Sequence, residues 1–65
     1  MPMPIANILI LEGRTPEEKQ ALIRAVTAAI ADSLSAKTES IRVIVQEIPR
    51  EHWGIGGVSA KELGR

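Results

Sequence analysis

Two short aliphatic runs on either side of one amphipathic segment constrain this chain more than any other feature. Residues 4–11 read PIANILIL, with Asn7 the only polar side chain, and residues 41–48 read IRVIVQEI. A nearly continuous aliphatic run of that length is the pattern of a strand covered on both faces. The second run has the β-branched content that strands favour. Between them, Thr15-Pro16-Glu17-Glu18 supplies a hydroxyl N-cap, a proline at the first helical position and a glutamate three residues after the cap. This predicts a helix start. Leu22, Val26, Ala29, Ile30 and Leu34 then form an apolar stripe, while Lys19, Gln20, Arg24, Thr27 and Asp32 fall largely elsewhere. The spacing predicts a helix from residue 16 to about residue 35 with one wet face. Strand, helix and strand at these lengths form a βαβ unit with parallel strands and a right-handed crossover.

After the second run, Pro49 ends the strand, and Gly54-Ile55-Gly56-Gly57 places three glycines in four residues. That density predicts a small hairpin. Residues 58–65 are too few for a domain and are expected to pack as an arm on a neighbouring subunit. The fold class is therefore α+β: a β-α-β subunit with parallel strands and a short C-terminal hairpin, with residues 1–65 as one domain.

A chain of 65 residues buries only about 60% of its unfolded surface and is marginal alone. It has no cysteine, and its one histidine, His52, cannot build a structural metal site. Yet 45% of the residues are hydrophobic and Trp53 is the only aromatic. Small aliphatic side chains at that density suit close packing between subunits, so an oligomer is expected. Eight basic and eight acidic residues balance to zero formal charge, which argues against a nucleic-acid or membrane-surface partner. The first dozen residues carry no leader or anchor pattern, and a cytoplasmic location is expected.

The chemistry starts from Met1-Pro2-Met3-Pro4. A proline exposed by methionine removal is a secondary amine, with a pKa near that of an ordinary α-amino group, about 7.7–8.0. Burial near cations would lower it further, giving a general base at neutral pH or a nucleophile toward a carbonyl. Otherwise the prolines simply open an edge strand, where a missing N–H costs nothing. Arg14 follows Gly13 after the first strand, either as a solvated loop charge or as an anion ligand. Arg42 lies among Ile41, Val43, Ile44 and Val45, so it must emerge at an edge or meet an anion. Its fork of donors suits a carboxylate; a salt bridge to Glu47 or Glu39 is the alternative. Trp53 is either core or an apolar wall that holds an amine in a low dielectric. His52 has no partner at a telling spacing and receives no role. Phosphate loops, metal-ligand clusters and a G-x-S-x-G nucleophile motif are absent from the sequence.

Taken together, PIANILILEGRT, a helix, SIRVIVQE and HWGIGG resemble the successive blocks of the 4-oxalocrotonate tautomerase family, the small-subunit type of the tautomerase superfamily. The resemblance implies a tautomerase-like fold assembled as a homohexamer, a trimer of dimers. It also implies a cofactor-independent, metal-free isomerase that moves a proton between carbons, or between enol and keto forms, of a small anionic unsaturated 2-oxo or 2-hydroxy acid such as 2-hydroxymuconate. By position, Pro4 matches the family's N-terminal base, and Arg14 and Arg42 match the arginines that hold carboxylates and polarise the carbonyl. Trp53 matches the apolar wall, and Leu11, Ser40 and Ile55 line the site. The departure is Met1-Pro2-Met3, an extension of three residues. A start at Met3 frees Pro4, whereas a start at Met1 makes Pro2 the free amine. If neither is freed, the chain is a non-catalytic partner subunit of a mixed hexamer.

Strand geometry adds a constraint that does not depend on the family. The seven steps from Pro4 to Leu11, at about 3.3 Å each, span roughly 23 Å. No small acid bridges that gap. If Pro4 and Arg14 act on one substrate, Arg14 must come from a second chain whose first strand runs antiparallel to the first.

Overall fold

The computed structural model describes residues 3–65. Its elements are β1 (Ile5–Leu11), α1 (Pro16–Leu34), β2 (Arg42–Ile48), β3 (Gly54–Ile55) and β4 (Val58–Ser59), with 3-10 turns at Thr38–Ser40 and Arg50–His52. β1 and β2 pair in parallel, from Ile5 opposite Arg42 to Leu11 opposite Ile48. β3 and β4 form a separate antiparallel hairpin. The βαβ unit and its C-terminal hairpin are thus as the pattern predicted. The two 3-10 turns were not expected, because short polar links carry no periodicity to read.

The helix starts as its sequence demands. Thr15 Oγ1 accepts from the Glu18 N–H at 3.1 Å, and the Thr15 N–H donates to Glu18 Oε1 at 3.0 Å, completing a capping box with Pro16 in the first turn. At the other end, Ser35 takes a left-handed conformation, φ 53°, and its N–H donates to the Ala31 carbonyl. The inward face differs from the expected stripe. Leu22, Ile23, Val26, Thr27, Ile30 and Ala31 are half-buried, whereas Ala29 and Leu34 are exposed. Thr27 can turn inward because its hydroxyl donates to the Ile23 carbonyl at 2.7 Å, so no polar hydrogen is stranded.

The helix covers one face of the sheet only. Along β1 the burial alternates, with Ala6, Ile8 and Ile10 half-buried and Ile5, Asn7 and Leu9 exposed. Ile5 is 63% exposed, Leu9 54% and Ile44 of β2 48%. A run that predicts cover on both faces therefore has cover on one within a single chain. In the middle of the bare aliphatic face, Gln46 Nε2 donates to Asn7 Oδ1 at 2.6 Å. Among the described residues, Ile41 and Ala60 are the hydrophobic residues buried outright, so the chain has little core of its own.

The C-terminal segment folds back on its own chain. The Ala60 N–H donates to the Trp53 carbonyl at 2.7 Å and the Lys61 N–H to the Arg50 carbonyl at 3.3 Å. Gly56 and Gly57 have φ of 60° and 89°, the paired positive values that a tight two-residue hairpin turn requires. Among the described residues no helix is long and apolar enough to cross a membrane.

Candidate active site

The sequence-predicted residues fall into two groups at opposite ends of the β1–β2 sheet. The first group is Pro4, Ser40 and Arg42. Pro4 is half-buried just before β1, and its carbonyl accepts from the Arg42 N–H at 2.9 Å. Its nitrogen is the amide that follows Met3, so basic chemistry there needs the preceding residues removed. Pro2 lies outside the described residues. Arg42 opens β2 on the bare face of the sheet, in register with Ile5. Its guanidinium finds neither Glu39's nor Glu47's carboxylate. Instead Nη1 donates to the Glu39 carbonyl at 2.7 Å and, more weakly, to the Ile41 carbonyl at 3.4 Å, while Glu47 pairs with Lys19 at 2.9 Å. One side of the Arg42 fork is thus fixed by backbone. Ser40 is half-buried, and its hydroxyl donates to the Lys37 carbonyl at 2.8 Å.

The second group is Leu11, Arg14, Trp53 and Ile55. Leu11 ends β1 opposite Ile48. The Glu12 N–H then donates to the Ile48 carbonyl at 3.0 Å, and the chain turns through Gly13, φ 118°. A Cβ at Gly13 would meet only the tip of the Arg50 side chain, 3.4 Å away, so it is the positive φ that calls for glycine here. Arg14 points toward α1, where Nη1 lies 3.5 Å from Glu18 Oε2. Trp53 is half-buried and lines an open hollow of about 310 Å³ with Leu9, Ile48, His52 and Gly54. Ile55 is exposed on the hairpin.

Sequence reasoning missed what holds this second end together. The Arg50 N–H donates to Glu12 Oε2 at 2.9 Å, the Arg50 guanidinium lies 3.5 Å from the same oxygen, and Arg50 Nε donates to the Arg65 carbonyl at 2.9 Å. Nothing in the local sequence around Glu12 or Arg50 marks either as a partner of the other. A weak signal was present, since an acid and a base each end a strand of one parallel pair.

The chain thus holds the sequence-predicted residues apart: Pro4 and Arg42 stand at one end of the sheet and Arg14 and Trp53 at the other, where these two line separate hollows. Among the described residues each outer edge of the two-stranded sheet lacks a strand partner.

Residues 4–63 match the model of the tautomerase enzyme family. This chain belongs to the tautomerase family. It is 59% identical over 63 residues to 2-hydroxymuconate tautomerase of Stutzerimonas stutzeri, covering 97% of this chain and 100% of the relative. The tautomerase of the same description from Comamonas testosteroni is 51% identical over the same shares. Among solved structures, a 4-oxalocrotonate tautomerase isozyme of Methylibium petroleiphilum superposes with a TM-score of 0.92 at 52% identity, covering 95% of this chain and 100% of the other. A heterohexameric 4-oxalocrotonate tautomerase of Chloroflexus aurantiacus gives 0.89 at 43% identity, covering 94% and 98%. The likeness places this tautomerase among isomerases and covers both ends of its sheet.

Proposed function

We propose that the chain is a cofactor-independent tautomerase acting on a small unsaturated 2-hydroxy or 2-oxo acid of the 2-hydroxymuconate kind. The observation that carries this reading is the match to relatives of that name over their whole length, at up to 59% identity among those compared. Pro4 is the general base, freed when the residues before it are removed; the family match beginning at residue 4 supports that start. Its neutral amine takes a proton from the enol and returns one to carbon, so no metal or redox group is needed to balance the step. Arg42 and Arg14 hold the carboxylates and stabilise the oxygen on which negative charge develops. Trp53 supplies the apolar wall, and Leu11, Ser40 and Ile55 line the site.

The two half-sites meet when β1 strands of two chains pair antiparallel, which joins two two-stranded sheets into one of four. Three such dimers make a hexamer whose interior covers the bare aliphatic face. The site is then shared, and no single chain is active. The direct test is ultraviolet absorbance of 2-hydroxymuconate with a chain that begins at Pro4. No acceleration over buffer sinks the reading.

The amide between Met3 and Pro4, together with the heterohexamer among the structural neighbours, favours one alternative. In it, the chain keeps the three residues and serves as a base-less partner in a mixed hexamer. Intact-mass measurement of the protein from its native host decides between them, since it gives the first residue.

A further inference from the structure

We infer that Glu18 is a positioning residue that acts through Arg14, tying the arginine's orientation to the N-cap of α1. The inference rests on the reading of Arg14 as a substrate-carboxylate ligand. Its basis is one carboxylate with two duties. Glu18 Oε1 accepts the Thr15 N–H at 3.0 Å, which fixes the side chain against the first turn of the helix. Its other oxygen, Oε2, faces Arg14 Nη1 at 3.5 Å. Among the described residues this is the only polar partner that Arg14 has. Arg14 follows a left-handed glycine in a segment without secondary structure, so nothing else restrains the guanidinium. An unrestrained arginine must be ordered when it grips a ligand, and that ordering weakens binding.

The pairing still leaves the arginine fit for a carboxylate. Engagement through Nη1 leaves the Nε–Nη2 edge free, and that edge can grip a carboxylate with two parallel bonds. Glu18 is also fully ionised where it matters. The Thr15 backbone N–H chiefly holds its carboxyl below the usual range, against an opposing effect of desolvation, and the Arg14 charge adds a lesser pull in the same direction. The anchor is therefore permanent across the neutral range.

The two functions of Glu18 separate by substitution. In Glu18→Gln the amide oxygen can still accept the Thr15 N–H, since glutamine also completes a capping box, but the charge facing Arg14 is gone. Thr15→Ala does the reverse: it removes the cap hydroxyl and keeps both the Thr15-position N–H and the carboxylate. The experiment is steady-state kinetics with 2-hydroxymuconate on the assembled protein, with thermal melting in parallel, for both variants, Arg14→Ala and Arg14→Ala/Glu18→Gln. The pair is exposed, so the expected effect is modest: Glu18→Gln raises KM about threefold with kcat unchanged and only a small fall in melting temperature, from the charge lost at the first turn of the helix. Thr15→Ala lowers the melting temperature and leaves KM in place. In the Arg14→Ala background, Glu18→Gln adds nothing, as coupled residues require. A KM for Glu18→Gln within about 1.5-fold of the parent's, or below it, overturns the inference. So does an equal rise in KM for Thr15→Ala, which would trace the effect to the cap, or a full effect of Glu18→Gln without Arg14. If Arg14→Ala itself leaves KM unchanged, the assignment of Arg14 fails, and the inference fails with it for a separate and visible reason.

Discussion

The two ends of the β1–β2 sheet are built by different means. At the Pro4 end, the contacts run through backbone: the Pro4 carbonyl to the Arg42 N–H, and the Arg42 guanidinium to the Glu39 and Ile41 carbonyls. At the Arg14 end, side chains do the holding, through Glu12 with Arg50, Arg14 with Glu18 and Lys19 with Glu47. Strand register alone therefore places the proline and its neighbouring arginine. The other arginine depends on an exposed ion pair that single substitutions and salt can loosen, whereas Trp53 is also held by backbone, its carbonyl accepting the Ala60 N–H at 2.7 Å.

The change expected to act most strongly is at the backbone-built end. A chain that retains Met1-Pro2-Met3 has no free amine at Pro4, and should fall below the Pro4-first chain by on the order of 10²–10⁴ in kcat, the usual worth of a general base. Mass spectrometry of the assayed sample and the absorbance assay together check this. For the Pro4-first chain, activity should decline as pH falls through the proline's pKa, at or below about 7.7–8.0, because only the neutral amine accepts a proton. A kcat/KM profile flat through that range would exclude the proline as base.

Next in size is Arg42→Ala, which removes a charged hydrogen-bond donor worth roughly 1.5–3 kcal/mol, and should lower kcat/KM about 10- to 150-fold. A loss within about twofold would remove Arg42 from the site. The division between ends is tested directly by mixing Pro4→Ala subunits with Arg14→Ala subunits. Each alone is impaired, and exchange should restore some sites with both residues intact. No recovery, with exchange verified by mass, would show that the two ends do not meet across this interface.

The smallest effect concerns stability. Thr15→Ala should cost about 1 kcal/mol, as a lost N-cap hydroxyl does, read by denaturant titration at fixed protein concentration. The Glu18 half of the cap has a pH signature. Its folded-state carboxyl is held below its ordinary pKa, so its contribution is present at neutral pH and disappears as pH falls through that lowered value. A cap contribution that instead vanished on raising pH would contradict the assignment.

The same contrast explains what the sequence made legible. β1, α1 and β2 follow from periodicity and from Thr15-Pro16-Glu17-Glu18, because those signals are local. The glycine pair at Gly56-Gly57 announced its turn for the same reason. The inward placement of Ile23, Thr27 and Ala31 in place of Ala29 and Leu34 depended on how the helix rolls against the sheet, which a stripe a few residues wide does not fix. The fold-back of residues 60–65 depends on carbonyls of Arg50 and Trp53, and the Glu12–Arg50 clasp joins residues 38 apart in sequence. Such long-range pairing leaves no periodic trace. The alternation of bare and covered residues along β1 was hidden because both faces are aliphatic, one for the helix and one for whatever covers Ile5, Leu9 and Ile44.

Trp53 has a further consequence that is optical. The chain has one tryptophan and no tyrosine or phenylalanine, so its intrinsic fluorescence arises from a single indole. That indole is half-buried in an open hollow with Leu9 and Ile48, on a face that the proposed assembly would close. Emission should therefore shift to shorter wavelength as dilute subunits associate, and a ligand entering beside the ring should perturb the same band. The protein thus carries its own unlabelled probe of both events at one position.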